Sequence, residues 1–180
     1  MKMGNRIIAA VRTKADFYDA LASDVNIIFE LSPDILTISQ NIKLAHESGK
    51  RIFVHLDLAE GIGKDRSGIE YLKKLGIDGI ISTRLNIIKF AKDAGLFAVQ
   101  RFFILDSQSF NTTAETLKAS KADMIEIMPG TVYKVIRKLA SQTATPIIAG
   151  GLIDTEAEAA EAFSNGASAV STGKKSIWPH

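Results

Sequence analysis

The chain has 180 residues, no cysteine and a formal net charge of +2. The lack of cysteine excludes disulfides, thiolate zinc sites and cysteine nucleophiles, and it fits a reducing cytoplasm. The near-neutral charge neither requires nor excludes a nucleic-acid partner. The length predicts one domain over residues 1–180, able to bury its own core. Because Arg12 interrupts the first apolar run, we expect a cytoplasmic protein with no membrane partner.

A recurring unit organises the chain: a short apolar run, a turn, and an amphipathic segment of helical length. Eight apolar runs, rich in Ile, Val or Phe, are predicted to be buried parallel strands. They lie at residues 7–12, 26–31, 51–57, 78–83, 97–103, 123–128, 146–150 and 168–172. Eight βα units close a barrel, whereas open doubly wound sheets more often have five or six strands. The pattern therefore predicts a small single-domain (β/α)₈ barrel of the TIM type.

The sequence also indicates where several of the predicted helices begin and end. Four helices are predicted to end in a left-handed glycine, namely Gly49, Gly76, Gly95 and Gly166. Helices two, five and seven are predicted to begin at residues 32–33, 106–107 and 154–155. At about 22 residues per unit, far below the ~250 residues of a typical barrel, the loops must be minimal. Only eight residues follow the last run, so we expect a truncated eighth helix with Trp178 as a hydrophobic plug or subunit contact.

Polar residues at the C-terminal ends of the strands are candidates for a site, because barrels bind ligands there. Alternation along residues 51–57 predicts that His55 and Asp57 face the interior. Along residues 26–31 it takes Ile27, Phe29 and Leu31 as outward and Glu30 as inward. The candidates for this polar mouth are Arg12, Glu30, Asp57, Arg101 and Glu126. Each alone could belong to a buried ion pair, but their convergence from five strands indicates a binding site.

Two glycine-containing turns follow the last two predicted strands. Gly150 and Gly151 come after the seventh, and Thr172, Gly173 and Lys174 after the eighth. Barrels commonly build a phosphate site at this place from exposed backbone N–H groups. Tight turns alone would also explain the glycines. Two such turns with a following lysine favour a phosphate cradle.

One basic face lies away from the predicted mouth. Lys134, Arg137 and Lys138 share one side of the sixth predicted helix. They could contact a nucleic-acid backbone or form a solvated surface.

Six stretches of the sequence resemble the glycerol uptake operon antiterminator regulatory family. They are FVHLDLAEGIGKDRSGIEYL, DGIISTR, QRFFILDS, IEIMPG, PIIAGGLI and AVSTGKKSIW. The resemblance runs from residue 7 to residue 178. It implies a small barrel that responds to glycerol 3-phosphate and acts on leader mRNA, so that transcription of glycerol-use genes continues past a terminator. One departure is SPDI at residues 32–35, where the family has Gly-Asp-Ile.

Two classes of function fit these features. In the first, glycerol 3-phosphate is the effector of an RNA-binding regulator without a cofactor; its phosphate lies on the glycine turns and its hydroxyls near Glu30, Asp57 and Glu126. In the second, the same acids hold Mg²⁺ or Ca²⁺ for a metal-assisted glycerophosphodiester hydrolase, or the barrel is an aldolase-like lyase.

Against the enzyme, His55 is the one histidine on an inward strand, and the strands offer no lysine for a Schiff base. We therefore predict a regulator with no catalytic residue and no metal site. A scaffold for a homo-oligomer is a third hypothesis.

Overall fold

Eight parallel strands close into a barrel in which each strand pairs with its neighbours in sequence, and β1 pairs with β8. The computed structural model describes residues 6–180. The strands are β1 Ile7–Val11, β2 Ile27–Glu30, β3 Arg51–His55, β4 Gly79–Ser82, β5 Phe97–Phe103, β6 Met124–Met128, β7 Ile147–Gly150 and β8 Ala169–Thr172. The predicted (β/α)₈ fold is confirmed.

Seven α-helices lie between consecutive strands, as parallel pairing requires. They are α1 Lys14–Ala22, α2 Ile38–Glu47, α3 Arg66–Leu75, α4 Leu85–Asp93, α5 Ser107–Ala119, α6 Tyr133–Ala140 and α7 Glu156–Ser164. Within residues 6–180, none of the helices has the length and apolar character needed to span a membrane.

Apolar residues form two layers, one inside the barrel and one between the barrel and its helices. The inner layer contains Phe29 and Phe53, whose ring centroids lie 5.6 Å apart, and Phe97 stacks on Phe53 at 5.5 Å. The prediction that Phe29 and Leu31 face outward is therefore wrong, and Ile27 also packs against the inner layer. Both alternating sets of β2 are largely apolar, so alternation alone did not decide which set faces inward. In the structure, Phe29 packs against Phe53 inside the barrel, and this contact places the Phe29 set of β2 inward.

The predicted glycine ends of the helices are confirmed. Gly49, Gly76, Gly95 and Gly166 have φ values of 70°, 89°, 79° and 101°. These values fall in the left-handed region, where a residue with a side chain is disfavoured.

Two of the three predicted helix starts are confirmed. Asp106 caps α5 and Thr155 caps α7, each through a reciprocal capping box. The predicted start of α2 at residues 32–33 is wrong, because that helix begins at Ile38. The segment before it pairs with the loop after β3 instead: Glu60 N–H donates to the Pro33 carbonyl at 2.8 Å, and Ile35 N–H donates to the Glu60 carbonyl at 3.0 Å.

The eighth helix is reduced to a 3₁₀ turn at Lys175–Ile177, which confirms the predicted truncation. Trp178 follows it, is only 3% exposed and belongs to the outer apolar layer. Its indole Nε1–H donates to the Thr172 carbonyl at 2.9 Å. Trp178 is thus the predicted plug. Its indole N–H also anchors the end of β8, where part of the candidate site begins.

Candidate functional site

The loops after β7 and β8 meet at the C-terminal face of the barrel and border a cavity of about 360 Å³. We call it the C-terminal cavity. The predicted site residues in its wall are Arg12, Arg101, Glu126, Gly151, Thr172, Gly173 and Lys174. The structure therefore brings together most of the predicted phosphate turns and part of the predicted polar mouth.

Two successive residues of the loop after β7 have left-handed backbone conformations. Gly151 has φ 73° and Leu152 has φ 57°. A Cβ atom at Gly151 would also lie 2.8 Å from Met128 Cε, the flexible end of that side chain, so the left-handed φ is the main reason that glycine is favoured there. Leu152 has no such freedom, and its side chain is 69% exposed. A non-glycine residue in this conformation stores backbone strain, a feature that clusters at ligand sites.

Several backbone N–H groups around the C-terminal cavity are free to bind an anion. Within residues 6–180, the N–H groups of Gly151, Leu152, Ile153 and Gly173 donate no hydrogen bond to another protein group, and all four residues line the cavity. Unpaired N–H groups on consecutive residues are a common way to bind phosphate.

Thr172 joins the two loops and is not itself a free donor. Its hydroxyl donates to the Ile153 carbonyl at 2.8 Å and accepts from the Lys174 N–H at 2.9 Å. Because one hydroxyl group holds both loops, the N–H groups after β7 and after β8 are kept on the same side of the cavity.

A buried ion pair lies beneath these loops. Arg101 Nε donates to Glu126 Oε2 at 2.6 Å, and the two side chains are only 4% and 1% exposed. The other carboxylate oxygen of Glu126 accepts a short hydrogen bond from the Ser171 hydroxyl. The predicted inward orientation of Arg101 and Glu126 is confirmed, and the pair forms a fixed polar floor for the cavity.

Gly150 lies outside the wall of the cavity. It is buried at the end of β7, where a Cβ atom would crowd the Glu126 carboxylate and lie 2.8 Å from Ser171 Oγ. Its lack of a side chain makes room for this carboxylate. The predicted ligand contact of Gly150 stays a prediction.

Charges at the rim complement the free N–H groups. Arg12 and Lys174 are exposed, and neither forms an ion pair within the described residues. Asp16 also lines the cavity, but Lys175 Nζ lies 2.7 Å from its carboxylate. Hydrogen bonds from Lys175 and Thr13 lower the pKa of Asp16 to about 2. Asp16 is therefore ionised and paired with Lys175, which also lies 2.6 Å from Asp19, whereas Arg12 and Lys174 have no acidic partner among the described residues.

Glu30 does not face the barrel interior, so that prediction is wrong. Phe29 takes the inward position, and Glu30 points toward α2, where Asn41 Nδ2 donates to its Oε1 at 2.8 Å. Burial raises the pKa of Glu30 to about 7, opposed by the hydrogen bond from Asn41.

Asp57 belongs to a separate cluster on the far side of the mouth. It accepts from the Ser82 hydroxyl at 2.7 Å and from the Thr83 N–H and hydroxyl at 2.8 Å each, with Arg84 Nε at 3.3 Å. Burial opposes ionisation, but the His55 ring 3.6 Å from the carboxylate and hydrogen bonds from Thr83 and Ser82 hold the pKa of Asp57 well below its usual range.

The three acids of the metal hypothesis therefore do not converge. Glu30 faces α2, Asp57 is held by β4 and the loop after it, and Glu126 is paired with Arg101. Across residues 6–180, no three His, Asp or Glu side chains are grouped so that they could hold a metal ion. The proposal that these three acids form one metal site is wrong.

The predicted basic face is on α6, outside the C-terminal cavity. Lys134, Arg137 and Lys138 are exposed, and Lys138 Nζ lies 4.2 Å from the centroid of the Phe110 ring. The loop that leads into α6 contacts the cavity loop, because Gly130 N–H donates to the Gly151 carbonyl at 2.9 Å. Contact of this face with RNA stays a prediction.

Sequence reasoning missed several residues of the cavity. Ser171 could have been found from strand alternation, because it follows outward Val170 and shares the inward side of β8 with Ala169. Asp16, Leu152 and Ile153 lie on a helix or loop without a periodic signal.

A family model and a curated relative both match nearly the whole chain. The family model described as glycerol-3-phosphate responsive antiterminator matches residues 7–178. A protein of Escherichia coli (strain K12) named uncharacterized protein YgcP is 38% identical over 175 residues, which are 97% of this chain and 92% of that protein.

Two solved structures show the same similarity. The glycerol uptake operon antiterminator regulatory protein of Listeria monocytogenes str. 4b F2365 is 33% identical with a TM-score of 0.91, over 96% of this chain and 94% of that chain. A glycerol uptake operon antiterminator-related protein of Thermotoga maritima MSB8 is 34% identical with a TM-score of 0.86, over 98% and 99%. This chain belongs to the glycerol-3-phosphate responsive antiterminator family.

Proposed function

We propose that the chain binds glycerol 3-phosphate in the C-terminal cavity and, in response, acts on the leader mRNA of glycerol-use genes as a transcription antiterminator. The observation that carries the proposal is the set of free N–H groups at Gly151, Leu152, Ile153 and Gly173 around one cavity. Family membership supplies the regulatory role.

The phosphate end of the ligand belongs on the loops after β7 and β8. Free N–H groups donate to phosphate oxygens, and Lys174 and Arg12 add positive charge beside them. Gly151 lets the ligand approach the backbone because no side chain intervenes.

The glycerol end belongs on the polar floor. Glu126 and Ser171 present oxygens that accept hydrogen bonds from hydroxyl groups, since the Ser171 proton is already donated to Glu126, and Arg101 keeps the Glu126 carboxylate in place. A floor already locked into an ion pair suits recognition of a ligand more than proton transfer to it.

A backbone hydrogen bond offers a route by which ligand binding in the C-terminal cavity changes the position of the basic face on α6. The cavity loop and the loop that begins α6 are joined by the Gly130 N–H to Gly151 carbonyl hydrogen bond. Phosphate bound on Gly151 and Leu152 would favour one arrangement of this loop pair, and a preference for one state shifts the population that binds RNA.

Isothermal titration calorimetry tests the ligand half of the proposal. We expect saturable binding of glycerol 3-phosphate to the intact chain. Lys174→Ala should weaken it about tenfold or more, because a charge-assisted contact is lost. Gly151→Asp should abolish it by placing a carboxylate where phosphate binds. Lys74→Ala, which removes an exposed lysine from α3, is the matched control and should bind like the parent chain.

A filter-binding assay with leader transcript tests the RNA half. Glycerol 3-phosphate should change RNA affinity, and the Lys134→Ala, Arg137→Ala, Lys138→Ala triple variant should weaken RNA binding and reduce its salt dependence. Lys73→Ala with Lys74→Ala removes two exposed charges elsewhere and should leave both unchanged. Absence of RNA binding with and without ligand would refute the regulatory proposal.

A further inference from the structure

A second, smaller cavity lies outside the barrel, between α1 and α2, with a volume of about 140 Å³. We propose that this α1–α2 pocket binds a small neutral polyol through the carboxyl group of Glu30. Glu30 is absent from the wall of the C-terminal cavity. The two cavities share Arg12 in their walls, but the proposed site depends on Glu30 and does not rest on the function proposed above.

One carboxyl oxygen of Glu30 lacks a partner. Glu30 is 7% exposed, and its Oε1 accepts from Asn41 Nδ2 at 2.8 Å. Its Oε2 is buried and has no hydrogen-bond partner within residues 6–180. Buried polar atoms are nearly always hydrogen-bonded, and leaving one without a partner costs free energy. A hydroxyl group bound in the pocket would supply the missing bond.

The rest of the wall suits a polyol. Its polar members carry hydroxyl or amide groups, which both donate and accept hydrogen bonds: Thr13, Ser32, Thr37, Gln40 and Asn41. Phe17 and Tyr18 provide apolar surface for the carbon atoms of a ligand. The volume corresponds to roughly four or five water molecules at ~30 Å³ each, which suits a polyol of about two or three carbons.

The charges around the pocket favour a neutral ligand. Arg12 and Lys14 also line it, so an ammonium ligand would meet two cations. An anion would meet the Glu30 carboxylate. Since burial raises the pKa of Glu30 to about 7, against the hydrogen bond from Asn41, both protonation states are populated near neutral pH. A hydroxyl group serves both states, because it donates to the carboxylate and accepts from the carboxylic acid.

Titration followed by ¹H–¹⁵N NMR of the intact chain tests this site, with ethylene glycol and glycerol as probes. Methylammonium and inorganic phosphate are the charged comparators. We expect the side-chain amide of Asn41 to shift saturably with the polyols. The amide of Asn111, exposed on α5, should not shift. Glu30→Leu should weaken binding at least about tenfold.

Two further variants keep the test decisive. Gln40→Ala changes an exposed residue of the wall and should weaken polyol binding even where Glu30→Leu disturbs folding. Gly151→Asp alters only the C-terminal cavity and should leave polyol binding unchanged. The inference is overturned if neither polyol gives a saturable shift, if Glu30→Leu binds polyol as the parent does, or if methylammonium alone saturates the pocket.

Discussion

Removing Arg101 should strongly destabilise the fold, because Glu126 would be left charged and buried. The two side chains are 4% and 1% exposed, their N···O distance is 2.6 Å, and Ser171 would be the remaining partner of the carboxylate. Breaking a buried pair at one side typically costs about 3–5 kcal/mol. We therefore expect Arg101→Met to lower the free energy of unfolding by about this amount.

The assay is urea denaturation with linear extrapolation, applied to each single variant and to the double variant. Replacing both partners, as Arg101→Met with Glu126→Leu, removes the unpaired charge and should restore most of the lost stability. Lys118→Met on α5 is the matched control. Its partner Glu115 lies 2.7 Å away, but both side chains are 72% exposed, so the cost should stay below about 1 kcal/mol.

Two results would refute this reasoning. The first is a cost of less than about 1 kcal/mol for Arg101→Met. The second is a double variant that loses as much stability as the two single variants combined, since that would show the two side chains to be uncoupled.

Three further predictions concern stability and use the same urea assay. Gly151→Ala should cost about 1–2 kcal/mol, because φ is 73° at this position; an unchanged stability would contradict the left-handed assignment. Trp178→Ala should cost about 3–5 kcal/mol by opening a cavity where the eighth helix is missing; a cost below about 1 kcal/mol would show that Trp178 is no plug. Folding raises the pKa of Glu30 from 4.5 to about 7, so the folded chain holds a proton that the unfolded chain has lost between these pH values. Stability should therefore fall by roughly 3 kcal/mol as pH rises from 4.5 to 7, and Glu30→Gln should lack this part of the fall; equal pH profiles would contradict the burial of Glu30.

The fold could be predicted from the sequence because the same unit, an apolar strand followed by an amphipathic helix, recurs along the chain. Glycine ends at four helices and capping residues at α5 and α7 mark the boundaries without reference to tertiary contacts. The start of α2 was missed because Pro33 and Ile35 pair with Glu60, a contact between residues far apart in the chain.

The site was less predictable because it depends on side-chain packing. Alternation placed Arg101 and Glu126 inside, where the structure also has them. It failed for Glu30, since Phe29 packs inside the barrel against Phe53 of β3, which in turn stacks on Phe97 of β5, and this leaves Glu30 on the outer side of β2. The composition of the turns pointed to Gly151 and Gly173, but the free N–H groups of Leu152 and Ile153 depend on a loop conformation that residue types alone do not specify.

A crystal structure of the chain with glycerol 3-phosphate is the most direct test of the central claim. The account predicts phosphate oxygens within hydrogen-bond distance, about 2.7–3.2 Å, of N–H groups at residues 151–153 and 173, with Lys174 beside them. The hydroxyl groups should face Glu126 and Ser171. A phosphate bound anywhere other than the loops after β7 and β8 would contradict the account.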